Sequence, residues 1–162
     1  MADWPESVER VARFVRETGA EVRIEEFPEG TPTAADAANA VGCSLAQIVK
    51  SLVLDCDGRP VVALVPGDRR GDARKIAAAA GAMRAKVAGP DRVLEVTGFE
   101  AGAVAPFPLP GVERVLIDTR LLRYDRLWIG AGSRRHLASL PPSELVRLSR
   151  AEPVDVSADT SR

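Results

Sequence analysis

Two apolar runs, residues 48–54 and 61–65, flank Asp57-Gly58, and no other feature of this 162-residue chain constrains its fold so tightly. A two-residue connection of this kind needs positive φ at both positions, which Asp and above all Gly tolerate, so the pair reads as a β-hairpin. One residue breaks the pattern of the first run, Ile48-Val49-Lys50-Ser51-Leu52-Val53-Leu54. Side chains alternate along a strand, so Lys50 shares a face with Ile48, Leu52 and Leu54. Val49, Ser51, Val53 and Asp55 form the opposite and more polar face. Lysine is also scarce, since Lys50, Lys75 and Lys86 are the only three among 22 Lys and Arg residues. An ammonium on an apolar face is costly unless one of three arrangements relieves it. Its stem alone is buried at the sheet edge, it pairs with a buried carboxylate, or it lines a cavity and there binds an anion or polarises a carbonyl. The segment by itself leaves all three open.

The other elements alternate in kind. Asp3-Trp4-Pro5-Glu6 has capping-box spacing, and Trp4, Val8, Val11 and Val15 recur at helical intervals up to Gly19, which predicts a helix over 4–18. A strand is expected over 21–27 and a loop over 28–32. Thr33-Ala34-Ala35-Asp36 caps a short Ala-rich helix that ends at Gly42, and Ser44-Leu45-Ala46-Gln47 caps a further turn. Asp72 caps a helix through Ala80, and Pro90-Asp91 starts another that stops at Gly98. Residues 101–111 hold two Gly and three Pro, too broken for regular structure. Strands follow at 112–117 and 126–129, then a helix opened by Pro141-Pro142-Ser143-Glu144, an edge strand at 154–156 and a frayed tail from 157. The expectation is one compact α+β domain over 1–162, with a curved, barrel-like mixed sheet flanked by helices. Its core spans about residues 20–157, and no repeat or linker divides it.

Composition excludes several functions. At 46% hydrophobic and 28% charged residues the chain reads as an ordinary globular domain, and no apolar run nears the roughly 20 residues that cross a bilayer. The N-terminus lacks the regions of a secretory signal, so a cytoplasmic location and no membrane partner are expected. A net charge of −1 gives no global basic field for wrapping a long duplex. Positive charge is bunched, however, at Arg69-Arg70 with Arg74-Lys75, at Arg134-Arg135, and at Arg147 with Arg150, all read as solvated surface. Cys43 and Cys56 form neither a disulfide framework nor a CxxC pair, and His136 is the sole histidine, read as a surface residue between Arg135 and Leu137. No ligand spacing supports a zinc site, so no metal and no cofactor are expected.

A second motif lies in the broken stretch, the GxxxP pentapeptide Gly102-Ala103-Val104-Ala105-Pro106. In chain order, the stretch 33–38, Gln47-Ile48-Val49-Lys50-Ser51-Leu52, the GxxxP loop, Gly130-Ala131-Gly132-Ser133, and Ser143-Glu144-Leu145-Val146-Arg147-Leu148 form a recognisable set. Together they resemble the YbaK/ProX-like family of trans-editing aminoacyl-tRNA deacylases, also found as the editing insertion of bacterial prolyl-tRNA synthetases. The resemblance covers about residues 20–157, and the Lys50-Ser51 pair with the GxxxP loop is its most specific part.

That resemblance implies hydrolysis of the ester joining a wrong amino acid to the terminal ribose of a tRNA, most often the tRNA for proline. Lys50 would be the essential lysine near the terminal adenosine. Gly102, Ala103, Val104, Ala105 and Pro106 would form the substrate-binding loop, with backbone N–H groups near Gly102 as oxyanion donors. Ser51, Thr33, Phe27, Gly132 and Ser133 would complete the substrate-binding walls. Some relatives carry Tyr where this chain has Phe27, which removes a hydroxyl from that wall. Nothing here offers a Ser-His-Asp set or a paired Cys and His, but an aminoacyl ester is already activated and its neighbouring ribose hydroxyl can assist proton transfer. The implied partners are the 3′-terminal aminoacyl-adenosine of a mischarged tRNA and a prolyl-tRNA synthetase or other translation factor. With no synthetase motif in the chain, action in trans is expected. The alternative is a non-catalytic module that binds the aminoacylated tRNA end or a nucleotide without turnover. A protein-interaction domain is a third class, for which exposed apolar stripes would be expected.

Overall fold

The computed structural model describes residues 4–158. Helix α1 (Glu6–Thr18) buries Val8, Val11, Ala12 and Val15 at the expected spacing and ends at Gly19 in a left-handed turn. Asp3, the expected cap, lies outside the described residues; Pro5 occupies the N-cap and provides no side-chain bond. Strand β1 (Arg23–Glu26) leads through a loop to α2 (Ala34–Val41), where Thr33 Oγ1 accepts the Asp36 N–H at 3.0 Å. A 3₁₀ turn over Leu45–Gln47 closes with the capping box formed by Ser44 and Gln47.

The hairpin forms as expected from β2 (Val49–Cys56) and β3 (Arg59–Pro66), paired antiparallel with Cys56 opposite Arg59. Asp57 and Gly58 take φ of 53° and 85°, the two positive values of a type I′ turn, which matches the twist of the strands it joins. Both faces of this hairpin are covered. Val49, Val53, Val62 and Leu64 face the larger core with Val11, Val15, Val93, Val96, Leu145 and Leu148. Leu54, Cys56, Val61, Ala63 and Val65 face a smaller core beneath Ile76, Ala80 and Val156. The face expected to be polar is therefore the one that packs on the main core. Strong hydrophobicity along both sets of alternating positions is the signature of a strand buried on two sides.

The chain then crosses over. Strand β4 (Arg70–Gly71), helix α3 (Ala73–Ala79), strand β5 (Ala85–Val87) and helix α4 (Pro90–Thr97) precede β6 (Arg114–Asp118), which lies parallel to β3. Asp72 caps α3 as expected, accepting the N–H groups of Arg74 and Lys75. After a 3₁₀ turn over Thr119–Arg123 come β7 (Leu127–Ser133), β8 (His136–Leu140), α5 (Pro142–Ser149), β9 (Glu152–Val154) and β10 (Ser157–Ala158). The order β5-β2-β3-β6-β9 makes the main mixed sheet, β1-β8-β7 a second, and β10-β4 a short ribbon. A parallel bridge between Ile48 and Trp128 joins the first two sheets, but they do not close into a barrel. The class is α+β. Among the described residues no helix is long and apolar enough to cross a membrane.

Three expectations need correction. His136, expected at the surface, is only 2% exposed and opens a strand over His136–Leu140 that was not expected. Ser157, expected in a frayed tail, is fully buried and pairs with Gly71. The late edge strand starts at Glu152, parallel to β6, two residues earlier than expected.

Candidate functional site

A cleft of about 250 Å³ opens where β2 leaves the 3₁₀ turn at Leu45–Gln47, and four separate segments wall it. Ile48, Val49, Lys50 and Ser51 come from β2 and its entry; Thr31, Pro32, Thr33, Ala34 and Ala37 from the loop into α2 and the first turn of that helix; Gly102, Ala103 and Val104 from the irregular loop; and Gly130, Ser133, Arg134 and Leu137 from β7, β8 and the turn between them. The loop into α2 is held by main-chain bonds, Thr31 N–H to the Arg134 carbonyl at 2.9 Å and Phe27 N–H to the Arg135 carbonyl at 2.6 Å.

Two glycines bring the remaining walls together. A Cβ on Gly130 would come within 3.2 Å of the Val104 carbonyl, so its bare Cα lets the irregular loop lie against β7. At Gly132, where φ is 106°, a Cβ would meet the Ser7 carbonyl at 2.7 Å, while Ser7 Oγ donates to the Gly132 carbonyl at 2.7 Å. The register of β7 with β8 shifts between Gly130 and Ser133, a bulge that turns Ser133 and Arg134 toward the cleft.

Lys50 is half-buried on the face of Leu52 and Leu54, and its Nζ donates to the main-chain carbonyl of Arg69. An ammonium carries three donors, so this contact fixes its position and leaves two for a ligand. Burial pushes its pKa below the ordinary lysine value; the field of Asp68 opposes that shift and Arg70 adds to it. Lys50 thus lines a cleft, the geometry that the third of the arrangements open from the sequence requires.

The site residues expected from sequence separate into two groups. Lys50, Ser51, Thr33, Gly102, Ala103, Val104 and Ser133 line one cleft. The other four do not. Ala105 is fully buried, and Pro106 turns away into a different groove with Phe14 and Phe107. Gly132 backs onto α1 through Ser7. Phe27 packs behind the wall, in the cluster that holds Ala37, Ile48 and Leu137. The loop amides divide as well: Ala103 N–H is taken by the Glu100 carbonyl at 2.9 Å, whereas no such acceptor meets Gly102 or Val104 N–H among the described residues. Thr33 Oγ1 is engaged by Asp36, accepting its N–H and donating to its carboxylate at 2.8 Å.

Sequence reasoning missed Arg134, which it read as solvated surface. Arg134 is exposed, but its guanidinium lies over Gly102 and donates to the Ala101 carbonyl at 3.3 Å. The cleft is thus edged by two cations from different segments, Lys50 and Arg134. A basic doublet beside a Gly-rich bulge is the only signal that could have found it.

The chain as a whole is similar to several proteins of known name. A prolyl-tRNA ligase from Nitratidesulfovibrio vulgaris (strain DP4) is 34% identical over 132 residues, which are 80% of this chain but only 22% of that protein. The multifunctional Ser/Thr-tRNA deacylase ProXp-y of Escherichia coli (strain K12) is 29% identical over 119 residues, covering 70% of this chain and 71% of that one. A crystal structure described as a candidate trans-editing enzyme for prolyl-tRNA synthetase superposes with a TM-score of 0.90 at 33% identity, over 97% of this chain and all of that one. Fold and sequence therefore define a hydrolase of the aminoacyl-tRNA editing class. The chain belongs to the aminoacyl-tRNA editing domain family, whose model matches residues 28–148.

Proposed function

We propose that this chain acts in trans on mischarged tRNA, with the tRNA for proline as its first expected substrate, and that Lys50 and the loop at Gly102 carry the reaction. The observation that supports this reading is that Lys50, Ser51 and Gly102, taken from segments about fifty residues apart in sequence, line one cleft. The Lys50 ammonium would meet the polar end of the substrate, and the amides of Gly102 and Val104 would donate to the ester oxygen as negative charge develops there. Water held in the cleft would attack the carbonyl, with the adjacent ribose hydroxyl relaying the proton. Such an ester needs positioning more than a strong base. The reading places the protein in the cytoplasm, where charged tRNA is made, with a prolyl-tRNA synthetase as the expected source of substrate.

The test is release of radiolabelled alanine, cysteine, serine or threonine from mischarged tRNA for proline and from each cognate tRNA. Release above the uncatalysed rate for at least one pair is expected. If the protein instead protects every ester, the binding-module reading replaces this one.

Arg134 supplies a separate prediction. An exposed guanidinium at the cleft rim suits a phosphate of the tRNA end, and each such contact with a single strand contributes about 0.7 to the slope of log affinity against log salt. Arg134→Ala is expected to raise KM several-fold at low salt and to flatten that slope by roughly this amount, with a smaller fall in kcat because the bond to the Ala101 carbonyl is lost as well. An unchanged salt slope would remove Arg134 from the tRNA contact.

A further inference from the structure

Ser133 and His136 sit at opposite ends of the bulged turn between β7 and β8, 2.6 Å apart from Oγ to Nδ1. Ser133 lines the cleft, whereas His136 is 2% exposed and lies behind it, edge-to-face with Trp4 at a centroid distance of 5.4 Å. The same Ser133 Oγ accepts the Arg135 N–H at 3.0 Å. His136 Nε2 is buried and makes no hydrogen bond.

A hydroxyl has one proton to give and two lone pairs to fill, and a neutral imidazole carries one N–H. Burial lowers the His136 pKa, with Arg135 acting in the same direction and Glu26 against it, so the ring is neutral near pH 7. Two tautomers then satisfy the short contact. If the proton is on Nε2, Ser133 donates to Nδ1 and the ring's only N–H is left buried. The Trp4 π-system, the ring packed against the imidazole, is a much weaker acceptor than a hydroxyl oxygen. If the proton is on Nδ1, that N–H goes to Ser133, and the donor left over is the serine O–H at the open cleft, where acceptors are available. Orphaned buried N–H groups are rare in proteins, which favours the second arrangement.

We infer that His136 is a positioning residue: it holds its proton on Nδ1 and donates it to Ser133, so that both Ser133 lone pairs are filled and the serine O–H is aimed into the cleft as a donor to an acceptor oxygen of the bound ester. The inference rests on the deacylase reading for the identity of that ester, but the tautomer stands apart from it. His136 is the only histidine in the chain, so protein labelled with ¹⁵N-histidine gives a single ring system. Two-bond ¹H–¹⁵N correlations at neutral pH are expected to show a protonated Nδ1 and a bare Nε2; a proton on Nε2, or an even mixture, overturns the inference whatever the enzyme does.

Activity tests the second half. Ser133→Ala is expected to lower kcat/KM about 10- to 100-fold, the range for losing one hydrogen bond to developing charge. His136→Leu should fall toward the same level. His136→Asn, whose amide nitrogen takes the place of Nδ1, should recover most of the wild-type rate. The Ser133→Ala/His136→Leu double variant should be no slower than Ser133→Ala alone; losses that multiply, or a failure of Asn to rescue a folded protein, overturn the positioning role. If wild-type protein releases no amino acid from any tRNA, the deacylase reading fails, and the spectrum still decides the tautomer.

Discussion

Replacing Lys50 with methionine is expected to lower kcat/KM for aminoacyl-ester hydrolysis by about 100-fold or more, because without the ammonium the polar end of the substrate is no longer held and the ester no longer lies against the donors of the Gly102 loop. Methionine is chosen because it keeps an unbranched apolar stem beside Leu52 and removes only the ammonium. Folding should change little or improve, since a half-buried cation whose pKa burial depresses is no net source of stability. Lys50→Arg is the sharper variant. It keeps the charge, but its larger planar head does not fit the position held by the Arg69 carbonyl, so recovery should be partial. Single-turnover hydrolysis of mischarged tRNA, beside a melting curve for each variant, separates these outcomes. Folded Lys50→Met that hydrolyses at the wild-type rate would remove the lysine from the reaction and leave the loop amides to carry it.

Lys50 also shows how far a sequence can be read. Its place on an apolar face and its order relative to Gly102 were both legible, because strand alternation and short motifs are local. The type I′ hairpin, the caps at Thr33 and Asp72 and the stops at Gly19, Gly42 and Gly98 were legible for the same reason. What stayed hidden depends on contacts between distant segments. Every residue from His136 to Leu140 is buried, so β8 shows no alternation to mark it as a strand. Pro106 shares a pentapeptide with Gly102, yet the irregular backbone between them sends the two into different grooves. Arg134 looks like any surface arginine until the loop at Ala101 is brought beneath it by Gly130.

Asp118 is the most consequential residue of this hidden kind, and Asp118→Ala is expected to destabilise the protein by about 3 kcal/mol or more, a Tm drop on the order of 10 °C for a chain of this size. Its side chain is fully buried at the end of β6. It accepts Arg120 N–H at 3.0 Å and Val156 N–H at 3.1 Å, and pairs with the Arg120 guanidinium, which also reaches Asp155 at 3.1 Å. Removing the carboxylate strands a buried N–H at Val156 and loosens the junction between the end of β6 and the segment leading to β10. The effect depends on pH with a definite sign. Burial acts to raise the Asp118 pKa, but the Arg120 N–H, Ser157, the Val156 N–H and the Arg120 side chain together hold it below the ordinary value. Ionised Asp118 therefore stabilises the fold fully above the unfolded-state pKa near 4, and that contribution is lost as pH falls through the depressed folded value. Urea unfolding should show a wide gap between wild type and Asp118→Asn at pH 7 that narrows below about pH 4; a gap independent of pH would show that the charge contributes nothing. The consequence reaches the cleft, because Val156 leads directly into Ser157, which pairs with Gly71 beside Arg69, the residue whose carbonyl holds Lys50. Asp118→Asn should accordingly slow hydrolysis even where the protein remains folded, by letting the lysine's anchor move. Addition of Lys50→Met to that variant should then cost less than it costs the wild type, since the two substitutions act on one position of the ammonium.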